Sequence, residues 1–194
     1  MKLGNISNIY TGLVMARKKA RSALEGDIKY KALALKSFED GGWLNERGLD
    51  EFISYDNLDD KYLTKKGDVI IRLSAPYTSV CIVDSQEGFA IPSNFAVIRI
   101  NNPSFNPEFV SVFLNMELVL KKLSQSAFGT TIPLIKTSSL KDLDINGLPL
   151  DTQKKIVELN KLQIKEKKLL AALMSEKDKL MKSSLNKILS MEGS

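Results

Sequence analysis

The chain has 194 residues, a hydrophobic content of 43% and a net charge of +5, enough for one folded domain with a real core plus an appendage. It contains no histidine and one cysteine, which excludes Ser/His and Cys/His catalytic arrangements, Cys/His zinc sites and an internal disulfide. No apolar run approaches the roughly 20 residues needed to span a bilayer, and Met1 to Tyr10 lacks the apolar centre of a signal peptide, so the expectation is a cytoplasmic protein without a membrane segment.

Residues 1 to about 149 read as a mixed α/β body. LGNISNIY is a candidate strand closed by Thr11-Gly12. Arg17, Lys18, Lys19 and Arg21 follow as a basic cluster, and IKYKALAL is a second candidate strand. Gly41-Gly42 breaks the chain, and the next fifteen residues read as a polar loop. Lys66-Gly67-Asp68 is a turn that launches VIIRL, and SVCIV and FAVIRI follow as β-branched runs typical of strands. Cys81, inside SVCIV, reads as a buried small residue.

A helix is well signalled next. Asn106 is a good N-cap, and Pro107 stands at the first helical position, where its missing N–H costs nothing. Phe109, Phe113, Met116, Leu120 and Leu123 recur at spacings of four and three, an apolar stripe predicted to pack on the sheet and to end before Ser124. FGTTIPLI then offers a glycine, two hydroxyls and a short strand, and KTSSLKDLDI one helical turn and a last strand. Pro149 stops the body, and Asp151 is placed to accept hydrogen bonds from the next turn.

From residue 150 to about 190 there is neither Pro nor Gly. The apolar residues Ile156, Leu159, Leu162, Leu169, Leu170, Leu173, Met174, Leu180, Met181, Leu185 and Ile188 fall within one sector of roughly 160° at about 100° per residue. Ile164 lies outside that sector, and Glu166, Glu176 and Lys177 interrupt it. Taken from Thr152 to Ser190, such a helix is about 57 Å long at 1.5 Å per residue. A body of about 150 residues, with a radius of gyration near 15 Å, is too small to cover it. Leaving the stripe in water costs about 1.5 kcal/mol or more per large side chain. A helix from another chain is therefore expected to cover it, and the stripe reads as a dimer interface. Lysines outnumber acids more than two to one from Lys154 to Lys187, which serves either solubility or attraction to phosphate.

Enzyme signals are few. There is no P-loop and no GxGxxG, and no carboxylate pair stands out. Asn102-Pro103-Ser104-Phe105 resembles the (N/D)PP(Y/F) tetrapeptide of amino-group DNA methyltransferases, but Ser104 replaces the second proline and no glycine-rich cofactor loop follows an early strand. The plainer reading is a turn that starts a helix. No cofactor and no metal is expected.

The ordered set "KLGNISNIYTG", "LTKKGDVIIRLSAP", "AIPSNFAVIRI", "FGTTIPLIKTSSLKDLDI" and "LPLDTQKKIVELN" resembles one half of a specificity subunit of a type I restriction–modification system. The match is most specific at Leu148-Pro149-Leu150 and Gln153. The resemblance implies a target-recognition domain over 1–149 and a long spacer and dimerisation helix over 150–190. The fold class expected is α/β of the α+β type with a mixed sheet, its helix paired antiparallel with another copy. It implies a DNA-reading subunit that does no chemistry. The partners implied are double-stranded DNA, a second copy or another half subunit, methyltransferase (modification) subunits and a restriction subunit. The alternative is a regulatory half subunit that binds the modification subunit without reading DNA.

Within that reading, Arg17, Lys18, Lys19 and Arg21 are candidates for phosphate contact, or else an ordinary solvated loop. Ser74, Tyr77 and Thr78 are candidates for base edges, or else turn residues around Pro76. Gly129, Thr130, Thr131 and Lys136 qualify because glycine admits close backbone approach and threonine adds a hydroxyl and a methyl; the plainer reading is a turn. Trp43 is a candidate for stacking on a base or for anchoring a loop. Two copies would read an interrupted inverted repeat with centres about 55 Å, or roughly 16 base pairs, apart.

Overall fold

A computed structural model describes residues 1–20, 28–126 and 134–192. The chain divides into two compact units, Met1–Val157 and Glu158–Ser194. The first unit takes in the opening turns of the C-terminal helix as well as the body.

The centre of the first unit is a four-stranded sheet. β1 (Ser7–Thr11), β6 (Val69–Arg72), β7 (Ser79–Cys81) and β8 (Phe95–Ile100) lie in the order β1-β8-β6-β7. β2 (Ile28–Ala32) pairs with β5 (Asp50–Ser54), and β3 (Phe38–Glu39) with β4 (Trp43–Leu44). Every pairing between these strands is antiparallel; among the described residues, parallel contact is confined to isolated bridges at Leu13–Pro92 and Ala32–Ala90. The sheet expected to be mixed is mixed only in that sense.

β6 and β8 read as continuous apolar runs because both faces of the sheet are covered. Val69, Ile71, Ala96 and Ile98 face one cluster, with Leu3, Ile6, Phe109, Val110, Leu114 and Leu140. Ile70, Phe95 and Val97 face another, with Leu33, Phe38, Phe89 and Ile91. Phe38 stacks on Phe95 with ring centroids 4.7 Å apart. The period of two that divides these side chains is that of any strand.

The helices correct the sequence reading in several places, and the helix expected to end before Ser124 runs on to Ser126. The single stripe from Phe109 to Leu123 is two helices, α1 (Pro107–Leu114) and α2 (Glu117–Ser126). The buried apolar residues are Phe109, Val110, Leu114, Val119 and Leu123, while Met116 is exposed and Phe113 only half-buried. Asn115 causes the break. Its side-chain amide donates to the Ser79 carbonyl and accepts from the Ser79 N–H, both at 2.8 Å, so it pairs with edge strand β7 as a further strand would. Residues 43–57, read as polar loop, contain β4 and β5. β1 is preceded by a helical turn at Leu3–Asn5, and IKYKALAL is strand only as far as Ala32. The last strand expected near Asp144 is a single bridge to Lys2.

α3 (Thr137–Lys141) and the long α4 (Leu150–Glu192) complete the chain. α4 begins at Leu150, so Asp151 lies within its first turn rather than before it. Gln153 is fully buried. Its amide donates to the carbonyls of Ser104 and Leu148, and its oxygen accepts from the Asn106 N–H, all at 2.8 Å. Asn102-Pro103-Ser104-Phe105 is thus a turn held by Gln153, with the Asn102 side chain accepting from the Ser104 N–H at 2.9 Å.

The Lys66-Gly67-Asp68 turn is held similarly. Arg99 from β8 makes two bonds to the buried Asp68 carboxylate, at 2.8 and 3.0 Å. The same carboxylate accepts from the Lys65 N–H. The "KGDV" stretch is therefore a structural lock.

Candidate nucleic-acid interface and helix face

The strand registers bring several of the candidate segments to one end of the sheet. Thr11 of β1 and Ile71 of β6 both pair with Ala96 of β8, and Arg72 pairs with Phe95. The exits of β1 and β6 and the entry of β8 therefore lie side by side. Backbone bonds extend this end beyond the strands: Gly12 N–H to Phe95 O at 3.0 Å, Leu73 N–H to Asn94 O at 3.0 Å and Ile135 N–H to Leu73 O at 2.8 Å. Gly12 has no room for a side chain, because a Cβ would fall 2.3 Å from the carbonyl oxygens of Ile91 and Pro92.

Ser74 bridges to Leu134, which puts the loop after β6 beside the segment that leads to Lys136. Ser74 is half-buried, Ala75 and Pro76 form an exposed tip joined by a cis peptide, and Lys136 is exposed. Tyr77 and Thr78 do not fit the base-edge role expected of them. Tyr77 adopts a positive φ of 57° and turns into the main core, and Thr78 is buried before β7. Gly129, Thr130, Thr131 and Arg21 lie outside the described residues.

The basic segment leaves β1 through Gly12–Val14, turns at Met15–Arg17 and runs along β5. The bonds Tyr55 N–H to Lys18 O (3.2 Å) and Ala20 N–H to Ile53 O (3.0 Å) attach it there. Arg17 and Lys19 are exposed. Lys18 is engaged by Asp56 at 2.6 Å and lies 5.2 Å from the Tyr55 ring centre. The hydrogen bond that it donates to the Asp56 carboxylate holds its ammonium above the ordinary lysine value. Lys18 therefore offers less free charge than its neighbours. A cleft of about 530 Å³ lies between this segment, β2, β5 and Pro92.

Two residues at this end carry no clear sequence signal. The Arg72 guanidinium donates to the Ala75 carbonyl at 3.0 Å, but its Nε is buried without a hydrogen-bond partner, as is Oδ1 of Asn94. Burial pulls the Arg72 guanidinium below its ordinary value, and the charge of Asp40 partly opposes this. The one hint in the sequence is an arginine closing the apolar run VIIRL. Trp43 is half-buried, with its ring packed over Gly41, where a Cβ would sit 1.7 Å from it.

The opposite end of the sheet holds the start of α4. Ser7 pairs with Ile100, Asn101 N–H bonds to Ile6 O, and Asn106 meets Gln153. In α4, Gln153 and Val157 are buried and Ile156 half-buried against the main core. Beyond Val157 the apolar stripe is exposed: Leu159 is 72%, Leu170 54% and Leu180 68% accessible, and Leu162, Leu169, Leu173, Met174, Met181, Leu185 and Ile188 are likewise open. Leu189, off the stripe, is also exposed. No helix among the described residues is long and apolar enough to cross a membrane, and no group of His, Cys, Asp or Glu there is arranged to hold a metal.

The family model for the type I restriction modification DNA specificity domain matches residues 1–175, covering the body and α4 as far as Ser175. The chain belongs to this family. Solved structures agree on the fold. The HsdS subunit from Thermoanaerobacter tengcongensis matches with a TM-score of 0.67 and 16% identity over 91% of this chain and 44% of that one. A chain from a structure described as the basis of complex assembly and conformational transition of the type I R-M system gives a TM-score of 0.67 at 16% identity, over 97% and 48%. The type I restriction-modification S subunit from M. genitalium gives 0.52 at 17%, over 93% and 43%. This specificity-domain chain thus spans less than half the length of those structures. None of the curated proteins compared with it matches significantly.

Proposed function

We propose that the chain is a DNA-reading specificity subunit of a type I restriction–modification methyltransferase complex. It reads a short duplex half-site with one end of its four-stranded sheet and pairs through α4 with a second copy. Methyl transfer and cleavage belong to partner subunits, and the chain itself does no chemistry. The target-recognition domain is residues 1–149, and the spacer helix 150–190.

The observation that carries this reading is the division of labour between the two ends of one sheet. One end gathers the exits of β1 and β6, the entry of β8 and the 134–136 segment, where Arg17, Lys19, Arg72, Ser74 and Lys136 supply cations and a hydroxyl. The other end holds α4 through Gln153. Arg17, Lys19 and Arg21 bind phosphate, with Lys18 secondary because Asp56 engages it. Ser74 and the Gly129–Thr131 segment approach base edges, and Lys136 follows the backbone.

Two readers joined by paired helices address an interrupted inverted repeat, because a two-fold protein matches a two-fold target. Selection from random duplexes by the full chain with its modification subunits tests this. A split palindrome, with affinity falling steeply as salt rises, is the expected product. Enrichment of one contiguous site, or no enrichment at all, would contradict the proposal.

A further inference from the structure

The exposed face of α4 repeats every eleven residues. Leu159, Leu170 and Met181 occupy one row, Leu162, Leu173 and Ser184 a second, and Glu166, Lys177 and Ile188 a third. All nine side chains are exposed. Eleven residues span three turns at about 3.67 per turn, close to the helix's own period, so the rows form one nearly straight seam. Two positions of these rows carry charge, Glu166 and Lys177, one repeat apart, while Glu176 lies at the edge of the seam. An ion pair on this helix, Lys179 to Glu176 at 2.7 Å, involves neither. Either charge buried against an apolar side chain would be uncompensated.

An antiparallel pair of identical helices can answer both charges at once. When Glu166 of one copy faces Lys177 of the other, the two-fold axis forces Lys177 of the first to face Glu166 of the second. The same register sets Leu170 against Leu173, Leu162 against Met181 and Leu169 against Met174. Its axis falls between Ala171 and Ala172, at the middle of Leu150–Glu192, so the overlap is full. Sliding by one repeat sets Glu166 against Glu166 or Lys177 against Lys177. A parallel pair in register makes both like-charge contacts. One polar layer that rewards a single alignment and penalises the others is how paired helices specify register.

We infer that α4 pairs with α4 of a second copy in this antiparallel register, fixed by two Glu166–Lys177 ion pairs about an axis between Ala171 and Ala172. The inference rests on the pairing proposed above and adds its alignment. It also sets the ruler. Each Gln153 lies about 28 Å from the axis at 1.5 Å per residue, so the two anchors are about 55 Å apart.

The full chain tests it by sedimentation equilibrium. Glu166→Lys alone and Lys177→Glu alone should each weaken the dimer at least tenfold. An equimolar mixture of the two, and the double variant, should recover the wild-type constant. A spin label at Lys182→Cys in a Cys81→Ser background should lie about 32 Å from its copy, against about 15 or 48 Å for a slid register and about 10 Å for a parallel pair. A dimeric wild type whose single variants are unweakened, or whose label distance fits another alignment, overturns the register alone. A monomeric wild type at micromolar concentration overturns the pairing itself, and the register with it.

Discussion

The body and the outer part of α4 spend the same kind of side chain in opposite ways. In the body, leucine, isoleucine and phenylalanine reach near-zero exposure between a sheet and its covering layers. From Leu159 to Ile188, the leucines and isoleucine of the stripe stay more than half accessible. A helix exposed this way draws little stability from its own chain, because most helical stability comes from packing an amphipathic face. Under the pairing proposed above, the two regions answer to different equilibria, the body to folding and the helix to association. The join is Gln153, buried in the body though it stands on the helix.

Substitutions should separate the two equilibria. Phe95→Ala, in a fully buried ring stacked on Phe38, should cost about 3–5 kcal/mol of unfolding free energy in urea melts, with no specific effect on self-association among molecules that remain folded. Gln153→Ala strands the Asn106 N–H and the Ser104 and Leu148 carbonyls. It should cost about 3 kcal/mol, and hydrogen exchange should show the first turns of α4 opening. Leu170→Ser should change the melt of dilute chain by less than about 0.5 kcal/mol, as exposed substitutions do, yet weaken the dimer. A large intrinsic destabilisation by Leu170→Ser would show that the stripe is sheltered within one chain, and would break the comparison.

The smallest effect concerns pH. Burial raises the Tyr10 phenol from 10.0 to about 12, with Arg99 opposing and Asp68 reinforcing the shift. The unfolded phenol ionises first, so the neutral ring's contribution is intact below pH 10 and lost as pH rises towards 12. Tyr10→Phe should remove that part of the alkaline decline, seen as a shallower pH dependence of the urea midpoint.

What the sequence discloses depends on how local the determinant is. The α4 stripe needs only a period of 3.6, so its residues are legible in the order of amino acids alone. VIIRL, SVCIV and FAVIRI are legible because sheets covered on both faces leave unbroken apolar runs. The α1–α2 break is not, since Asn115 interrupts a good apolar spacing for the sake of Ser79, thirty-six residues away. β5 hides among charged residues because its partner β2 and the Lys18–Ala20 segment are remote in sequence.

Around the candidate interface, residue chemistry names segments but not directions. Ser74 and Lys136 stand out by type, and the bridge from Ser74 to Leu134 unites them. Tyr77 misleads because the backbone turn that sends its ring into the core is not written in its neighbours. Arg72 escapes notice because an arginine at a strand end looks like ordinary solvent-facing charge. Only burial shows that its Nε lacks a partner.

The most direct measurement is the mass of the full chain in solution at micromolar concentration, by multi-angle light scattering. The chain weighs 21.6 kDa. A species of twice that mass, falling to the single mass when Leu170 and Leu173 are both changed to serine, is the predicted result. A species of 21.6 kDa from the unaltered chain would contradict the claim that α4 exists to be covered by a second copy of itself.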